Sequence, residues 1–400
     1  MKILTFSTLY PNAARPIHGI FVETRLRQLL ASGQIASKVV APVPWFPSRH
    51  PWFGDYALHA CAPREEWRNG IEVLHPRYLL VPKIGMTAAP FLLAQAVRPA
   101  IARLAARYAF DLIDAHYFYP DGVAAVMLGR RLERPVVITA RGSDINLIAR
   151  HRLPRRMIQW AARQAAGVVT VSRALKDALV ALGVPAESIQ VLRNGVDLTL
   201  FSPVDRERVR QRLGMKQRTL LSVGNLLAFK GHHIAIRALS LLPDCELVII
   251  GAGPERPALD ALARQTGVGE RVRFAGSIGQ EQLREYYGAA DALVLASSRE
   301  GWANVLLEAM ACGTPVVASD VGGASELVAS PEAGLLTERA PEALARTLQR
   351  LFSNYPDRAA TRRYAERFSW SETTRGQLQL FERLVPAHGT AFDARAAGAA

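Results

Sequence analysis

Cysteine is scarce in this sequence, and long apolar runs are absent from it. The cysteines Cys61, Cys245 and Cys312 lie far apart and form no C-x-x-C pair. They predict neither a disulfide framework nor a zinc cluster, and they suit a reducing compartment. No uninterrupted apolar run reaches about 18 residues, so no membrane-spanning helix is predicted. The first residues, M-K-I-L-T-F-S, indicate a short apolar strand and not a signal peptide, so we expect a cytoplasmic protein.

Acidic residues are outnumbered by basic ones. Lysine and arginine total 49 against 35 aspartates and glutamates, which gives a net charge of +14. This charge suits anionic partners, namely nucleic acid, phosphorylated substrates or the inner face of a bacterial membrane. No basic motif, zinc finger or helix-turn-helix pattern occurs, so we expect no nucleic acid partner. A non-enzymatic protein that binds an anionic polymer is an alternative.

The dominant pattern is a short apolar run, a turn and then a longer amphipathic stretch. No short period repeats, which argues against a solenoid. The apolar runs predict strands at residues 3–7, 37–40, 112–115, 136–139, 168–171, 219–223, 247–250, 272–274, 292–295 and 316–318. The amphipathic stretches of the first half predict helices at residues 21–30, 90–106 and 174–182.

This alternation predicts an α/β protein with two Rossmann-like domains, each built on a parallel sheet. The first series of strands ends near residue 191, and the second begins near residue 219. We place the first domain at residues 1–197 and the second at 198–370. A helix at 371–387 is expected to cross back to the first domain, and residues 388–400 to form a flexible tail. Such domains bind ligands at the carboxyl ends of their strands, here facing a shared central cleft.

The most informative segment is residues 297–319, S-S-R-E-G-W-A-N-V-L-L-E-A-M-A-C-G-T-P-V-V-A-S. It follows a predicted strand, and Asn304 is a suitable N-cap for a short helix over residues 305–311. Unpaired amides at a helix start bind anions, and a diphosphate is a natural ligand. Glu300 and Glu308 flank this site, where carboxylates suit hydroxyl ligands such as the diols of a ribose and a sugar. Each acid alone could be an ordinary capping or surface residue, but the combination favours a binding site.

The run E-G-W-A-N-V-L-L-E-A-M-A-C-G-T-P-V-V-A resembles the E-x7-E signature of retaining GT-B-fold glycosyltransferases of family 4, among them bacterial group 1 enzymes that assemble teichuronic acid and exopolysaccharides. Similarity extends over nearly the whole chain, at residues 115–122, 139–144, 194–203, 223–231 and 251–254. The resemblance implies a nucleotide-sugar donor, no cofactor, no metal and retention at the anomeric carbon. It implies that Glu300 acts in catalysis and binds the donor sugar, and that Glu308 binds the ribose. The backbone of Gly301, Trp302, Ala303, Asn304 and Val305 is implied to bind sugar and phosphate.

Lys230 stands in the loop after the predicted strand at 219–223. A mobile ammonium group there can neutralise a leaving diphosphate. A solvated surface lysine is the commoner case, but the position and the resemblance favour a catalytic, donor-binding role. Asn225 occupies a donor-site position where the family usually has arginine. The substitution removes one positive charge, so either the enzyme depends more strongly on Lys230 or an arginine elsewhere compensates.

The resemblance also assigns residues in the first half. Gly19 follows the first strand and is implied to approach the donor, since a missing Cβ allows close contact. His116 ends a strand and is implied to orient the sugar during catalysis, although a lone histidine is more often a packing residue. Asp144 is implied to contact the acceptor. The family often has histidine where this chain has Arg141, which we assign to the acceptor or to the phosphate charge missing at Asn225.

The sequence contains no D-x-D motif. This absence fits a transferase in which helix amides and lysine, and not a divalent ion, meet the phosphate charge. A double displacement needs a carboxylate nucleophile near the anomeric carbon, and the sequence identifies none. We therefore expect departure and attack on the same face, with a donor phosphate oxygen deprotonating the acceptor. Another GT-B chemistry, that of a nucleotide-sugar epimerase or a phosphorylase, is the enzymatic alternative. Epimerases of this fold lack the E-G-x-x-N-x-x-L-E arrangement, and phosphorylases carry a lysine-bound pyridoxal cofactor.

Aromatic residues crowd a proline-rich stretch of the first half, namely Trp45, Phe46, Trp52, Phe53, Tyr56 and Trp67. Aromatics beside basic charge suit a protein that lies on an anionic membrane surface, although core aromatics and a solvated basic face would give the same pattern. With the resemblance to polysaccharide-assembling enzymes, they favour a lipid-linked or oligosaccharide acceptor, the former on a polyprenyl diphosphate. We expect a peripheral position on the inner face of the plasma membrane.

Overall fold

Short runs of apolar residues form parallel strands throughout this protein, because such strands are buried on both faces. The computed structural model describes residues 1–80 and 85–385, and it divides into two compact units. Each strand predicted from the sequence is present, with ends that differ from the prediction by two residues at most, as at Cys245 and Gly276. The prediction of an α/β fold with Rossmann-like parallel sheets is confirmed.

The strands of the described residues also include short ones that the sequence pattern did not predict. In chain order they are β1 (Lys2–Phe6), β2 (Ala36–Val40), β3 (Val43–Pro44), β4 (Glu65–Arg68), β5 (Ile71–Leu74), β6 (Arg77–Tyr78), β7 (Leu112–His116), β8 (Val136–Ala140), β9 (Gly167–Thr170), β10 (Ile189–Val191), β11 (Arg218–Val223), β12 (Cys245–Ile250), β13 (Val272–Gly276), β14 (Ala292–Leu295), β15 (Val316–Ser319) and β16 (Gly334–Thr337).

The helices of the described residues connect these strands. They are α1 (Ile20–Leu30), α2 (Asp55–Cys61), α3 (Ala89–Arg107), α4 (Val123–Leu132), α5 (Ser143–Asn146), α6 (Arg152–Gln164), α7 (Arg173–Ala181), α8 (Arg206–Leu213), α9 (His232–Leu239), α10 (Arg256–Gln265), α11 (Gln280–Ala289), α12 (Asn304–Ala311), α13 (Ala324–Leu327), α14 (Pro341–Ser353), α15 (Arg358–Glu366) and α16 (Trp370–Leu384). In this part of the chain, no helix has both the length and the apolar character that crossing a membrane requires.

The first unit comprises residues 1–170, 179–192 and, of the described residues, 374–385. Its sheet has the order β10-β9-β8-β7-β1-β2-β5-β4. All neighbouring strands are parallel except β4 and β5, which form an antiparallel hairpin. The hairpin turns at Asn69 and Gly70, whose φ angles are 49° and 77°. An Asn-Gly pair is the usual signal for such a turn, so the sequence contained a hairpin that the prediction missed.

Helix α16 supplies part of the core of this first unit. Its Phe381 is fully buried in the apolar cluster that β1 and β7 also line. From the same helix, the buried Gln377 accepts a hydrogen bond from Arg25 Nε and donates one to Asp114 Oδ2, both at 2.9 Å. A buried polar group satisfied in this way fixes the position of the helix along the sheet. The tail predicted at residues 388–400 lies outside the described residues.

The second unit comprises residues 171–178 and 193–373. Its sheet has the order β13-β12-β11-β14-β15-β16, and every pair in it is parallel. Because β11 and β14 are neighbours, the loops that follow these two strands leave the same edge of the sheet side by side. These are the loops that contain Lys230 and Glu300, so the sheet order brings two predicted site residues together.

Candidate active site

Helix α12 begins after a loop that buried side chains hold in place. In that loop Trp302 is buried, and its indole nitrogen donates to the carbonyl oxygen of Asn194 at 3.0 Å. The helix starts at Asn304, with Ala303 before it, one residue earlier than predicted. The prediction that Asn304 is the N-cap is therefore wrong. Its Oδ1 accepts a hydrogen bond from Asn194 Nδ2 at 3.2 Å and does not cap its own helix.

The backbone amides around this helix start differ in whether the protein supplies a hydrogen-bond acceptor for them. The amides of Asn304 and Leu306 donate to carbonyl oxygens two and three residues back, at 3.1 and 3.0 Å, so these two amides already have acceptors within the chain. The amide of Val305 has no acceptor in the described part of the chain, and neither do those of residues 301–303. Amides without protein acceptors at a helix start favour an anionic ligand.

Lys230 and Glu300 form an ion pair beside these amides. Lys230 ends the short 3₁₀ turn Ala228–Lys230, which follows β11, and Glu300 lies in the loop after β14. The distance from Lys230 Nζ to Glu300 Oε1 is 2.7 Å, and the side chains are 21% and 10% exposed. The sequence predicted both residues for the same site but not their contact, which depends on the order of strands in the sheet.

An arginine that the sequence prediction did not name lies near this pair. The guanidinium carbon of Arg299 is 4.1 Å from the centroid of the Phe229 ring, and Lys230 Nζ is 5.4 Å from the same ring. Asn225 is exposed in the loop that also carries Lys230. Arg299 thus provides a second positive charge close to Lys230, where Asn225 provides none. The signal was present in the sequence, since Arg299 directly precedes Glu300.

Glu308 lies one helical turn into α12 and contacts a tyrosine that the sequence prediction also missed. The hydroxyl of Tyr287 donates to Glu308 Oε2 at 2.8 Å. Burial raises the pKa of Glu308 to about 7, although the hydrogen bond from Tyr287 acts in the opposite direction. Tyr287 is itself fully buried, on α11. No motif in the sequence marks Tyr287, because a tyrosine in an amphipathic helix is usually a core residue.

His116 lies at the end of β7 in the first unit, inside a buried polar cluster. It is 1% exposed, and its Nδ1 is 2.7 Å from Arg141 Nη2 while its Nε2 is 3.2 Å from Asp114 Oδ2. Because a guanidinium group can only donate, Nδ1 is the acceptor and Nε2 carries the proton. Burial lowers the pKa of His116 to about 4, so the ring is neutral at physiological pH. A catalytic contact of His116 stays a prediction.

Asp144 caps a loop of the first unit. Its carboxylate accepts hydrogen bonds from the backbone amides of Phe118, Arg141 and Gly142, at 2.7 to 3.2 Å, and the residue is completely buried. These hydrogen bonds give Asp144 a structural role in the loop, and its contact with the acceptor stays a prediction. Arg141 is also nearly buried, and its guanidinium carbon is 5.4 Å from the Phe21 ring centroid.

Gly19 precedes α1 and has a φ of 68°. A Cβ at this position would lie 2.3 Å from the carbonyl oxygen of Leu9. The chain's own backbone therefore requires glycine here, whether or not a ligand approaches. The structure thus brings predicted residues into contact within each unit. Lys230 contacts Glu300 in the second unit, where residues 301–305 and Glu308 follow Glu300 in the same loop and helix, and Arg141 contacts His116 in the first.

Comparison with known proteins assigns both parts of the chain to one family. Residues 38–200 match the profile of Glycosyltransferase Family 4, and residues 204–368 match that of Glycosyl transferases group 1. TuaC of Bacillus subtilis (strain 168), named as a teichuronic acid biosynthesis glycosyltransferase, is 32% identical over 359 residues, which cover 88% of this chain and 89% of TuaC. The chain belongs to the group 1, family 4 glycosyltransferases. This confirms the family predicted from the E-x7-E segment.

Further relatives and solved structures agree with this assignment. A D-inositol 3-phosphate glycosyltransferase of Corynebacterium urealyticum is 32% identical over 313 residues, 70% of this glycosyltransferase and 74% of the relative. Sucrose-phosphate synthase from Thermosynechococcus elongatus superposes with a TM-score of 0.77 at 22% identity, over 96% of this chain and 99% of that one. Anabaena HepE in complex with UDP gives a TM-score of 0.74 at 23% identity, over 96% and 100%. At these identities the structures establish the GT-B fold of this glycosyltransferase.

Proposed function

We propose that this glycosyltransferase transfers a sugar from a nucleoside diphosphate sugar, with retention at the anomeric carbon and without a metal ion. One observation carries the proposal. The amides of residues 301–303 and of Val305, which have no acceptor in the described chain, belong to the segment of the second unit that runs from Glu300 to Glu308. The amides suit the diphosphate, and the two carboxylates suit the hydroxyl groups of the sugar and the ribose.

The charges near this helix start suit the departure of a diphosphate. Lys230 and Arg299 supply two positive charges that can stabilise the negative charge of the leaving group, so a divalent ion is not required for that purpose. In the proposed step, the acceptor hydroxyl attacks the anomeric carbon on the face where the bond to the diphosphate breaks. The hydroxyl proton passes to an oxygen of the leaving phosphate. This route needs no carboxylate nucleophile and retains the anomeric configuration.

The acceptor is proposed to be a glycan linked to polyprenyl diphosphate, in the assembly of a cell-surface polysaccharide. TuaC is named for teichuronic acid biosynthesis, which supports a polysaccharide product. Three tryptophans of the proline-rich stretch in the first half are exposed and not part of the core: Trp45 is 53% exposed, Trp52 88% and Trp67 67%. Exposed aromatics on a chain of net charge +14 support a peripheral position on an anionic membrane, where such an acceptor is found.

A nucleotide-sugar screen tests this function. We expect one or more nucleotide sugars to raise the melting temperature of the full chain, and the same compound to donate its sugar to a prenyl-diphosphate-linked glycan. The product linkage, measured by NMR, should have the anomeric configuration of the donor, and chelators should leave the rate unchanged. Inversion of the anomeric carbon would contradict the mechanism. Release of an epimerised nucleotide sugar without acceptor would identify the chain as an epimerase.

Gly322 provides a test of the loop geometry at the donor site. It follows β15 with a φ of 54°, and a Cβ there would lie 2.0 Å from the carbonyl oxygen of Glu300. We expect Gly322→Ala to displace the loop that carries Glu300 and to weaken nucleotide-sugar binding about tenfold, since such backbone strain costs about 1–3 kcal/mol. Calorimetric titration measures the effect. The control is Gly279→Ala, where φ is −73° and no heavy atom lies within 4 Å of the added carbon. Unchanged affinity in Gly322→Ala would refute the prediction.

A further inference from the structure

A cavity of about 580 Å³ lies in the first unit, apart from the site residues predicted from the sequence. It is bounded by the second half of α3 and by the segment that runs from β5 into β6. Four arginines line it, Arg64, Arg77, Arg103 and Arg107, together with one acid, Glu65. Arginines gathered around one cavity repel each other unless an anion lies among them.

The described protein neutralises only part of this charge. Arg107 donates to Glu72, which Lys38 also contacts. The side chain of Arg64 makes no hydrogen bond or ion pair with any described residue. Arg103 donates only to the carbonyl oxygen of residue 99, one turn back in its own helix. The cavity therefore keeps an excess of guanidinium donors.

Arg77 is the most constrained of the four arginines. One of its terminal nitrogens donates to the carbonyl oxygen of Ala62, while the other, Nη1, is buried and has no hydrogen-bond partner in the described protein. Burial lowers the pKa of Arg77, and the charges of Arg64 and Arg49 lower it further. Because Nη1 is buried, Arg77 acts on an anion in the cavity through its charge and not through a free donor.

The rim of the cavity is apolar and exposed. Trp45 lines the cavity and is 53% exposed. Strands β3 and β6 pair in parallel, and the amide of Trp45 extends this pairing by donating to the carbonyl oxygen of Tyr78 at 2.7 Å. In this register Trp45 lies beside Leu79. Leu79 is 50% exposed, and Leu80 is 36% exposed. A ligand with an anionic head and a hydrocarbon tail matches a basic cavity with such a rim.

We propose that this arginine cavity binds the diphosphate of a lipid-linked acceptor, with the start of the isoprenoid chain against Trp45 and Leu79. The inference rests on the proposed function, which it makes specific by naming where the acceptor's lipid anchor is held. Guanidinium forks bind phosphate oxygens in pairs, so the forks of Arg64 and Arg103, with the charges of Arg77 and Arg107 beside them, suit a group with two phosphates. The phosphate chemistry is shared with inorganic pyrophosphate and with anionic phospholipid headgroups, and the experiment separates these sources.

The test uses the full chain and calorimetric titration with farnesyl diphosphate, inorganic pyrophosphate and farnesol. We expect Arg64→Ala and Arg103→Ala each to weaken farnesyl diphosphate binding about tenfold, the loss expected for one charge-assisted contact. The matched control is Arg98→Ala, an exposed arginine on the same helix that does not line the cavity. Trp45→Ala should weaken binding of farnesyl diphosphate but not of inorganic pyrophosphate. Equal losses in Arg64→Ala, Arg103→Ala and Arg98→Ala, or no loss in any of them, would overturn the proposal.

Two further arms keep this inference distinct from the proposed function. Nucleotide-sugar binding, measured in the same variants, should stay within about twofold of the unmodified chain, since none of these arginines is assigned to the donor site. Donor binding without farnesyl diphosphate binding would overturn the cavity proposal alone, whereas absence of donor binding would overturn the proposed function. Phosphatidylglycerol vesicles test the headgroup source. If Arg103→Ala reduces vesicle binding while farnesyl diphosphate does not bind, the cavity holds a phospholipid and the proposal fails.

Discussion

Replacing Lys230 with alanine should lower kcat about 10²–10³-fold, the loss typical of removing one group that stabilises charge in a transition state. Its ammonium group is 2.7 Å from Glu300, which precedes amides that have no acceptor among residues 1–80 and 85–385. In Lys230→Ala the ion pair with Glu300 is lost and its negative charge repels the diphosphate more strongly, so the KM of the donor should rise as well. Steady-state kinetics with the donor found in the nucleotide-sugar screen measures both effects.

The stability of the Lys230→Ala variant distinguishes a catalytic role from a structural one. The Lys230 side chain is 21% exposed, and partly exposed ion pairs contribute about 0–1 kcal/mol to folding. The melting temperature of Lys230→Ala should therefore be only a few degrees below that of the unmodified chain. Lys216→Ala, an exposed lysine elsewhere in the second unit, should change neither rate nor stability. A large fall in melting temperature with normal turnover per folded molecule would make Lys230 a structural residue.

Glu300→Gln separates the two functions of the ion pair. Glutamine keeps an oxygen that accepts hydrogen bonds from sugar hydroxyls but cannot pair with an ammonium charge. Lys230 would then be left to the diphosphate alone. We expect this variant to bind the nucleotide diphosphate at least as tightly as the unmodified chain, and to transfer sugar more slowly because the donor sugar is held less firmly.

Local patterns predicted the fold because each strand is a short apolar run between turn residues. Strands such as β8 and β12 are buried on both faces, so they are continuous apolar runs that can be recognised without knowing the rest of the fold. The pattern failed where a strand is short or lies at an edge. β4 alternates exposed and partly buried residues and contains charges, so its pairing with β5 depends on the Asn69-Gly70 turn more than on hydrophobicity.

The candidate site was predictable as a set of residues but not as a set of contacts. The E-x7-E spacing and the helix start depend on neighbours in sequence, and both are present near α12. The Lys230–Glu300 pair and the Tyr287–Glu308 hydrogen bond join elements far apart in sequence. Which loops meet is decided by strand order, and strand order follows from the packing of the whole sheet. The hydrogen bond between Asn304 and Asn194 likewise joins residues 110 positions apart, so no local pattern predicts it.

Glu308 makes donor binding depend on pH in a way that can be measured. Burial raises its pKa to about 7, so near neutrality the carboxyl group is about half protonated. A ribose hydroxyl that donates a hydrogen bond needs the ionised form, because Tyr287 already occupies one oxygen. We expect the affinity for a nucleotide sugar to fall about tenfold between pH 8 and pH 6, as protonation competes with binding. Calorimetric titration at several pH values measures this change. The buried histidines His116 and His232 have pKa values of about 4 and do not titrate in this range.

Glu308→Gln is the control, since glutamine keeps the shape and the contact with Tyr287 but does not titrate between pH 6 and pH 8. Its affinity should be lower at pH 8 and constant down to pH 6.

The stability of the unmodified chain should fall as the pH rises, whereas its affinity for the donor rises. With a folded pKa near 7 against an ordinary value of 4.5, the folded state holds the proton more tightly, so the unmodified chain loses up to about 3 kcal/mol as pH rises from 4.5 to 7. Glu308→Gln removes that loss and should be the more stable of the two at pH 8. A variant that is less stable at pH 8 yet binds the donor normally would show that Glu308 supports the fold and does not hold the ribose.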